Sequence, residues 1–161
     1  GLLFSGTVKD NIAFCNPEMP FEKIERAAKI AEADGFINEM PEKYNAPISQ
    51  GGKNVSGGQR QRLCIARAVA ADAEILVFDD SFSALDYKTD KKVRENLAAE
   101  AKGVTKVVVA QRIGTIMDAD LIVVLEDGKA VGQGKHAELL KNCETYREIA
   151  LSQLSKEELG L

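Results

Sequence analysis

The chain has 161 residues, 45% of them hydrophobic and 29% charged, with a formal net charge of −4. That balance describes a folded globular chain and excludes a disordered segment, while the acidic excess offers no basic face for nucleic acid. No apolar run approaches the ~18 residues that a membrane-spanning helix needs. The sequence opens on Gly1, with neither an initiator Met nor the apolar core of a secretion signal, so a piece of a longer chain is expected.

In chain order, an apolar start (Leu2, Leu3, Phe4) leads into a short helix around Val8 to Phe14. Between Pro20 and Ala33, Phe21, Ile24, Ala28 and Ala31 recur at helical spacing and predict an amphipathic helix. A second short helical piece is expected from Asp34 to Met40, then a loop from Pro41 to Asn54 that holds two prolines and Gly51-Gly52. A helix follows from about Gly58 to Ala71, opened by the Ser56-Gly57-Gly58 turn. Ile75 to Phe78 is wholly apolar and reads as a strand buried on both faces. Asp90 to Ala101 is helical, with Val93, Leu97 and Ala101 on one stripe; Val107 to Ala110 and Leu121 to Leu125 are further buried strands. Asp127-Gly128 is a hairpin turn into a last strand around Ala130 to Gly132. Two polar-faced helices, near His136 to Lys141 and Glu144 to Ser152, close the chain. The alternation from residue 58 onward predicts an α/β core attached to a mainly helical first third. The expected divisions are residues 1–57, 58–152 and a tail, 153–161.

Cys15, Cys64 and Cys143 are odd in number and lack metal-ligand spacing, so they read as small buried or half-buried thiols in a reducing compartment. His136 is the only histidine, which excludes a Ser-His-Asp triad or a His-pair metal site within this chain.

Two stretches carry chemistry. In open α/β sheets ligands sit beyond the carboxyl ends of strands, and Asp79 and Asp80 end the Ile75–Phe78 strand, where a carboxylate could hold Mg²⁺ bound to nucleotide phosphates. Taken alone, this is equally a strand that ends in a polar loop. In "VSGGQ", Val55 to Gln59, the serine can cap the helix or bond a phosphate oxygen, and the glycines allow close backbone approach to an anion. Alone, it is equally an ordinary serine-capped helix.

Order and spacing add to both. Ser56 precedes Asp79 by 23 residues, "SALD" follows at Ser83 to Asp86, and "VVVAQR" leads to Gln111 and Arg112. This succession resembles the ABC-transporter ATPase domain, with its signature motif, Walker B strand, D-loop and switch region. "LFSGTVKDNI" near the start and "ADLIVVLEDGKAVGQGKHAELL" near the end resemble its exporter-type members. The resemblance implies the C-terminal part of a P-loop-type ABC ATPase, a mostly parallel sheet with flanking helices plus a helical subdomain. It implies that Ser56, Gly57, Gly58 and Gln59 form the signature turn, which closes over the γ-phosphate of ATP held by a partner domain. It makes Asp79 the Mg²⁺-associated Walker B carboxylate and Asp86 the D-loop aspartate that reaches across the dimer. His136 falls in a "G-x-H-x-E-L-L" ending, where a structural role near a helix start is expected.

Departures from the family pattern are as informative. Asp80 stands where active members carry the water-polarising glutamate, and Gln111 where they carry the switch histidine. Aspartate is one methylene shorter, roughly 1.5 Å of reach, and glutamine cannot hold a charge or pass a proton as imidazole does. The expectation is a degenerate ATP site beside an intact signature turn, as in one chain of the heterodimeric bacterial multidrug exporters. Gln50 also stands where exporters commonly place a glutamate. No G-x-x-x-x-G-K-[ST] phosphate loop occurs in the sequence, so the piece is expected to begin just after the family's glutamine loop and to have, alone, no appreciable ATPase activity. The sheet is then expected to expose an unpaired edge and apolar surface that the absent part would cover, and to favour self-association. The implied cofactors are ATP and Mg²⁺. The implied partners are a second ABC ATPase domain on a different chain and an upstream transmembrane domain, at the cytoplasmic face of the cell membrane. Two alternatives stand beside this reading: a regulatory or structural ABC module that uses nucleotide only to dimerise, and a soluble ABC ATPase of DNA repair or translation. The exporter-like opening and the missing basic face weigh against the latter.

Overall fold

The structure, a computed structural model, describes residues 1–14 and 16–160; Cys15 lies outside them. The chain forms two compact units, Gly1–Val109 and Ala110–Leu161. The boundary expected at residue 57 joins two parts of one core, because the helix that starts there packs on the helices before it.

In the first unit, α1 (Val8–Ile12) begins in a capping box. The Thr7 hydroxyl accepts from the Asp10 N–H, and the Asp10 carboxylate accepts from the Thr7 N–H. Just before it, β1 (Gly6–Thr7) pairs antiparallel with β2 (Pro47–Ile48), a short ladder inside the stretch expected to be loop. Helices α2 (Phe21–Ile30) and α3 (Asp34–Glu39) follow, with Ile24, Ala28 and Ala31 buried as their spacing predicts and Ile37 of α3 buried beside them. Phe21 instead stands 48% exposed, its ring set edge-on to Tyr44.

Helix α4 (Gly57–Ala70) is the centre of this unit and buries Leu63, Ile65, Ala66 and Ala70 against α1 and α2. Beyond it, β3 (Ile75–Asp79), α5 (Tyr87–Glu100) and β4 (Thr105–Val109) make a strand–helix–strand crossover, with β3 and β4 parallel and in register from Ile75–Thr105 to Asp79–Val109. The expected burial of β3 on both faces is corrected here. Leu76 and Phe78 are buried, but Ile75 and Val77 are 59% and 63% exposed. The reason is layering. Leu76 and Phe78 share one core cluster with α4 and with Val93 and Leu97 of α5, so the helices cover a single face of the pair. Val107 and Val109 of β4 are exposed too, where buried strand residues were expected.

Arg67 of α4 ties the start of the chain to the core. Its guanidinium lies over the rings of Phe4 and Phe14 and donates to the carbonyls of Leu2 and Asn11 and to Asn11 Oδ1. Asn11, 2% exposed, also accepts from the Phe4 N–H and donates to the carbonyls of Phe4 and Thr7. Both lone pairs and both N–H bonds of that amide are used. On α5, the buried Asp90 carboxylate pairs with Arg94 one turn along, at 3.0 Å.

The second unit is built on β5 (Ile122–Glu126) and β6 (Lys129–Gly134), an antiparallel hairpin. Asp127 and Gly128 have φ of +48° and +75°, both positive as this two-residue turn requires. Helices α6 (Ile113–Ile116), α7 (His136–Asn142) and α8 (Glu144–Gln153) cover it, with Ile122, Val124, Leu139, Leu140 and Tyr146 at the core. Leu121, Val123 and Leu125, expected in a buried strand, lie 61%, 50% and 69% exposed, because the helices again cover one face. His136 is the first residue of α7 and its Nδ1 lies 2.8 Å from the buried Tyr146 hydroxyl. The stretch expected to be a tail holds α9 (Lys156–Leu159), capped by Ser155 with Glu158 and anchored by the buried Leu159. Cys64 is half-buried, with burial pushing its thiol up, and Cys143 is buried; both are free.

Removing the Asn11 amide strands the Phe4 backbone groups and one Arg67 donor. Asn11→Ala should cost about 3 kcal/mol of stability, read as a lowered urea midpoint; a loss under about 0.5 kcal/mol would mean that water satisfies those groups instead.

Candidate functional site

The predicted site residues of the first unit fall on two neighbouring loops, the start of α4 and the β3–α5 connection. Ser56 is the N-cap of α4. Its hydroxyl accepts from the Gln59 N–H at 3.2 Å, while Gln59 Oε1 accepts from the Ser56 N–H at 2.9 Å. The sequence left Ser56 either to cap or to meet a phosphate; the structure shows the cap. Helical geometry leaves the N–H groups of Gly57 and Gly58 without partners one turn back, the arrangement that attracts anions.

Asp79 and Asp80 stand exposed at the carboxyl end of β3. Asp80 has a φ of +48°, the left-handed region that aspartate tolerates better than most residues. Its N–H donates to the Val109 carbonyl at 3.0 Å, which carries the β3–β4 ladder one step past the strand end. Its Oδ2 lies 3.0 Å from the Ser83 hydroxyl. Among the described residues, no group of three or more His, Cys, Asp or Glu side chains could hold a metal ion.

Asp86 is the N-cap of α5, its carboxylate accepting from the N–H and the hydroxyl of Thr89 at 3.0 and 2.7 Å. These bonds hold its carboxyl below the usual carboxylate range. Leu85 and Phe82 bury the loop's apolar side, and Phe82 packs on the Phe78 ring. Gln111 belongs to the second unit; its side chain is exposed and its carbonyl accepts from Gln153 Nε2 at 2.7 Å.

One residue that the sequence reading passed over joins the two loops. Gln61, on the first turns of α4, donates through Nε2 to the Asp80 carbonyl and the Ser83 hydroxyl, both at 3.0 Å, and accepts through Oε1 from the Ala84 N–H at 2.9 Å. Its place two residues beyond Gln59 is visible in the sequence; its partners are not.

An anion-directed helix start beside a strand ending in carboxylates is the arrangement of α/β proteins that handle phosphates. The family model for the ABC transporter matches residues 3–83, half of the chain, and the chain belongs to that family, as part of its ATP-binding domain. It is 46% identical over 139 residues to the toxin RTX-I translocation ATP-binding protein of Actinobacillus pleuropneumoniae, a match covering 86% of this chain and 20% of that protein. It is 44% identical over 144 residues to the alpha-hemolysin translocation ATP-binding protein HlyB of Escherichia coli, covering 89% and 20%. Among solved structures, a bacterial Atm1-family ABC exporter with ATP bound superimposes with a TM-score of 0.92 at 34% identity, over 96% of this chain and 27% of that one. The chain thus spans about a fifth of the length of the curated relatives it matches.

The lowered ionisation of Asp86 makes a pH prediction. A folded-state value below the unfolded one gives stability that is complete above the unfolded pKa, near 4, and is lost as pH falls through the folded value. Asp86→Ala should therefore lower the urea midpoint at pH 7, and the gap to wild type should close as pH drops below about 4. An equal gap at both ends would mean that the carboxylate's charge contributes nothing to the cap.

Proposed function

We propose that this chain is part of the ATP-binding domain of an exporter subunit that couples ATP binding and hydrolysis to transport, and that its own ATP site is degenerate while its signature turn completes a partner's. Membership of the family, the two translocation proteins and the exporter fold support the first part. The observation that carries the second is the state of Asp80. Its carboxylate is one methylene short of a glutamate and lies 3.0 Å from the Ser83 hydroxyl of its own loop. A base that must polarise a water beyond the strand end loses reach twice over, since a misplacement of about 1 Å costs on the order of 100-fold in rate. Gln111 at the switch position removes imidazole chemistry as well.

In this reading Ser56 and Gln59 set the turn through their capping box, and the Gly57 and Gly58 N–H groups face the γ-phosphate of ATP held by a second ABC ATPase domain on a different chain. Asp86 belongs to the surface turned toward that partner. Mg²⁺ needs few protein ligands because it arrives on nucleotide phosphates and keeps its waters. The exposed Asp79 carboxylate fits that requirement, and the ion would neutralise charge on the phosphates. No helix among the described residues is long and apolar enough to cross a membrane; the domain works at the cytoplasmic face, joined to a transmembrane domain.

The test is steady-state ATP hydrolysis by the full-length protein with its partner's site silenced. Activity should be near background for the wild type and rise on the order of 100-fold in Asp80→Glu with Gln111→His. Brisk hydrolysis without the reversions would overturn the degenerate-site reading.

A further inference from the structure

We infer that Gln61 is a positioning residue that sets the signature turn and the Asp80–Asp86 loop as one rigid piece, so that both meet a nucleotide-bearing partner in a fixed relation. The inference rests on the proposed role of the signature turn. Its geometric basis stands apart from that role.

The three hydrogen bonds of Gln61 define the amide without ambiguity. The Ala84 N–H can only donate and the Asp80 carbonyl can only accept, so Oε1 must face the first and Nε2 the second. The second proton of Nε2 goes to Ser83 Oγ. One side chain thus holds the loop at residues 80, 83 and 84, and it does so from the first turns of the helix whose N-terminus is the signature turn. The backbone supports the same contact. A Cβ on Gly58 would lie 3.1 Å from the Ala84 carbonyl oxygen, and one on Gly57 would lie 3.5 Å from the Ala84 Cβ. The loop therefore lies flush on the two glycines, and a Cβ at 58 would press the Ala84 carbonyl outward by a few tenths of an ångström. The left-handed backbone of Asp80 places its carbonyl off the β3 ladder, and Gln61 and the Ser83 hydroxyl both supply it with a donor at 3.0 Å.

The experiment compares four forms of the full-length protein assembled with its partner: wild type, Gln61→Met, Gln61→Glu and Gly57→Asp. Methionine keeps the length of the side chain and removes all three bonds. Glutamate keeps the acceptor for the Ala84 N–H and loses the donor to Asp80. Aspartate at 57 puts a negative charge where the phosphate approaches and leaves Gln61 untouched. We expect Gln61→Met to lower kcat for ATP between about ten- and a hundred-fold with KM unchanged and the melting temperature lowered by only a few degrees, Gln61→Glu to recover part of the loss, and Gly57→Asp to abolish hydrolysis. Amide exchange at Ala84 should quicken in Gln61→Met by about tenfold or more, a readout independent of activity. Wild-type kcat in Gln61→Met with Gly57→Asp inactive would overturn the role of Gln61 and leave the signature reading standing. A fall in melting temperature large enough to leave much of the protein unfolded at the assay temperature, or a raised KM with kcat unchanged, would reduce Gln61 to a structural contact and overturn the inference. Full activity in Gly57→Asp would remove the signature reading and the inference with it. Unchanged exchange at Ala84 would sink the geometric claim itself.

Discussion

Among the described residues, four polar side chains of α4 end on backbone groups of other segments, Arg60 reaching the Gly51 carbonyl at 3.5 Å, and the first unit depends on that. Gln61 holds the Asp80–Ala84 loop, Arg62 donates to the Glu32 carbonyl at 2.7 Å while its guanidinium covers the Phe36 ring, and Arg67 gathers the carbonyls of Leu2 and Asn11. Loops leave carbonyls that no ladder satisfies, and burying them unpaired costs about 1–3 kcal/mol each. A single helix that carries the missing donors at 60, 61, 62 and 67 can pull in four separate segments. Burial pushes the Arg62 guanidinium down and the neighbouring Asp86 and Glu32 push it back up, so a long cation can sit half-buried there. The apolar residues of α4 supply cohesion; these donors decide which backbone lies where.

The site residues are bound up in the same economy of polar groups. Ser56 with Gln59 and Asp86 with Thr89 each close a helix start. Capping and ligand binding are compatible uses of one turn. The cap fixes the rotamers and satisfies the third N–H, which leaves the first two directed outward without competition from their own side chain. A turn ordered in this way loses less conformational freedom when an anion arrives.

Local rules made much of this legible. The Asp127-Gly128 hairpin, the α4 start and the Val93–Leu97 stripe are short-range patterns, and each lies where its residues indicate. The capping pattern Ser155-x-x-Glu158 was equally visible and forecasts the α9 turn inside a stretch read as tail. Ile75 and Val77 show a limit of another kind. Their apolarity suits burial on both faces, yet the number of layers that cover a strand is set by tertiary partners outside the strand. The two-residue β1–β2 ladder is too short for any alternation to register. Gln61 was illegible for the same reason: a glutamine on a helix is ordinary until its three partners, far along the chain, are brought beneath it.

Which atoms Gln61 uses bears on how the proposed degenerate site and the proposed signature role fit in one chain. It binds the carbonyl of Asp80 and leaves the carboxylate alone. The backbone of residue 80 is further fixed by its N–H on Val109, and the loop by the buried Phe82 and Leu85. None of these contacts asks which side chain residue 80 carries; its carboxylate meets the Ser83 hydroxyl. Exchange of glutamate for aspartate at 80 can therefore weaken a base without loosening the loop or the signature turn that packs on it. Change at Gln61 or Gly58 has no such insulation, because each touches the loop's backbone directly. In the proposed reading, the chemistry of one site and the geometry offered to the other are carried by different atoms of the same residue, the carboxylate and the carbonyl of Asp80.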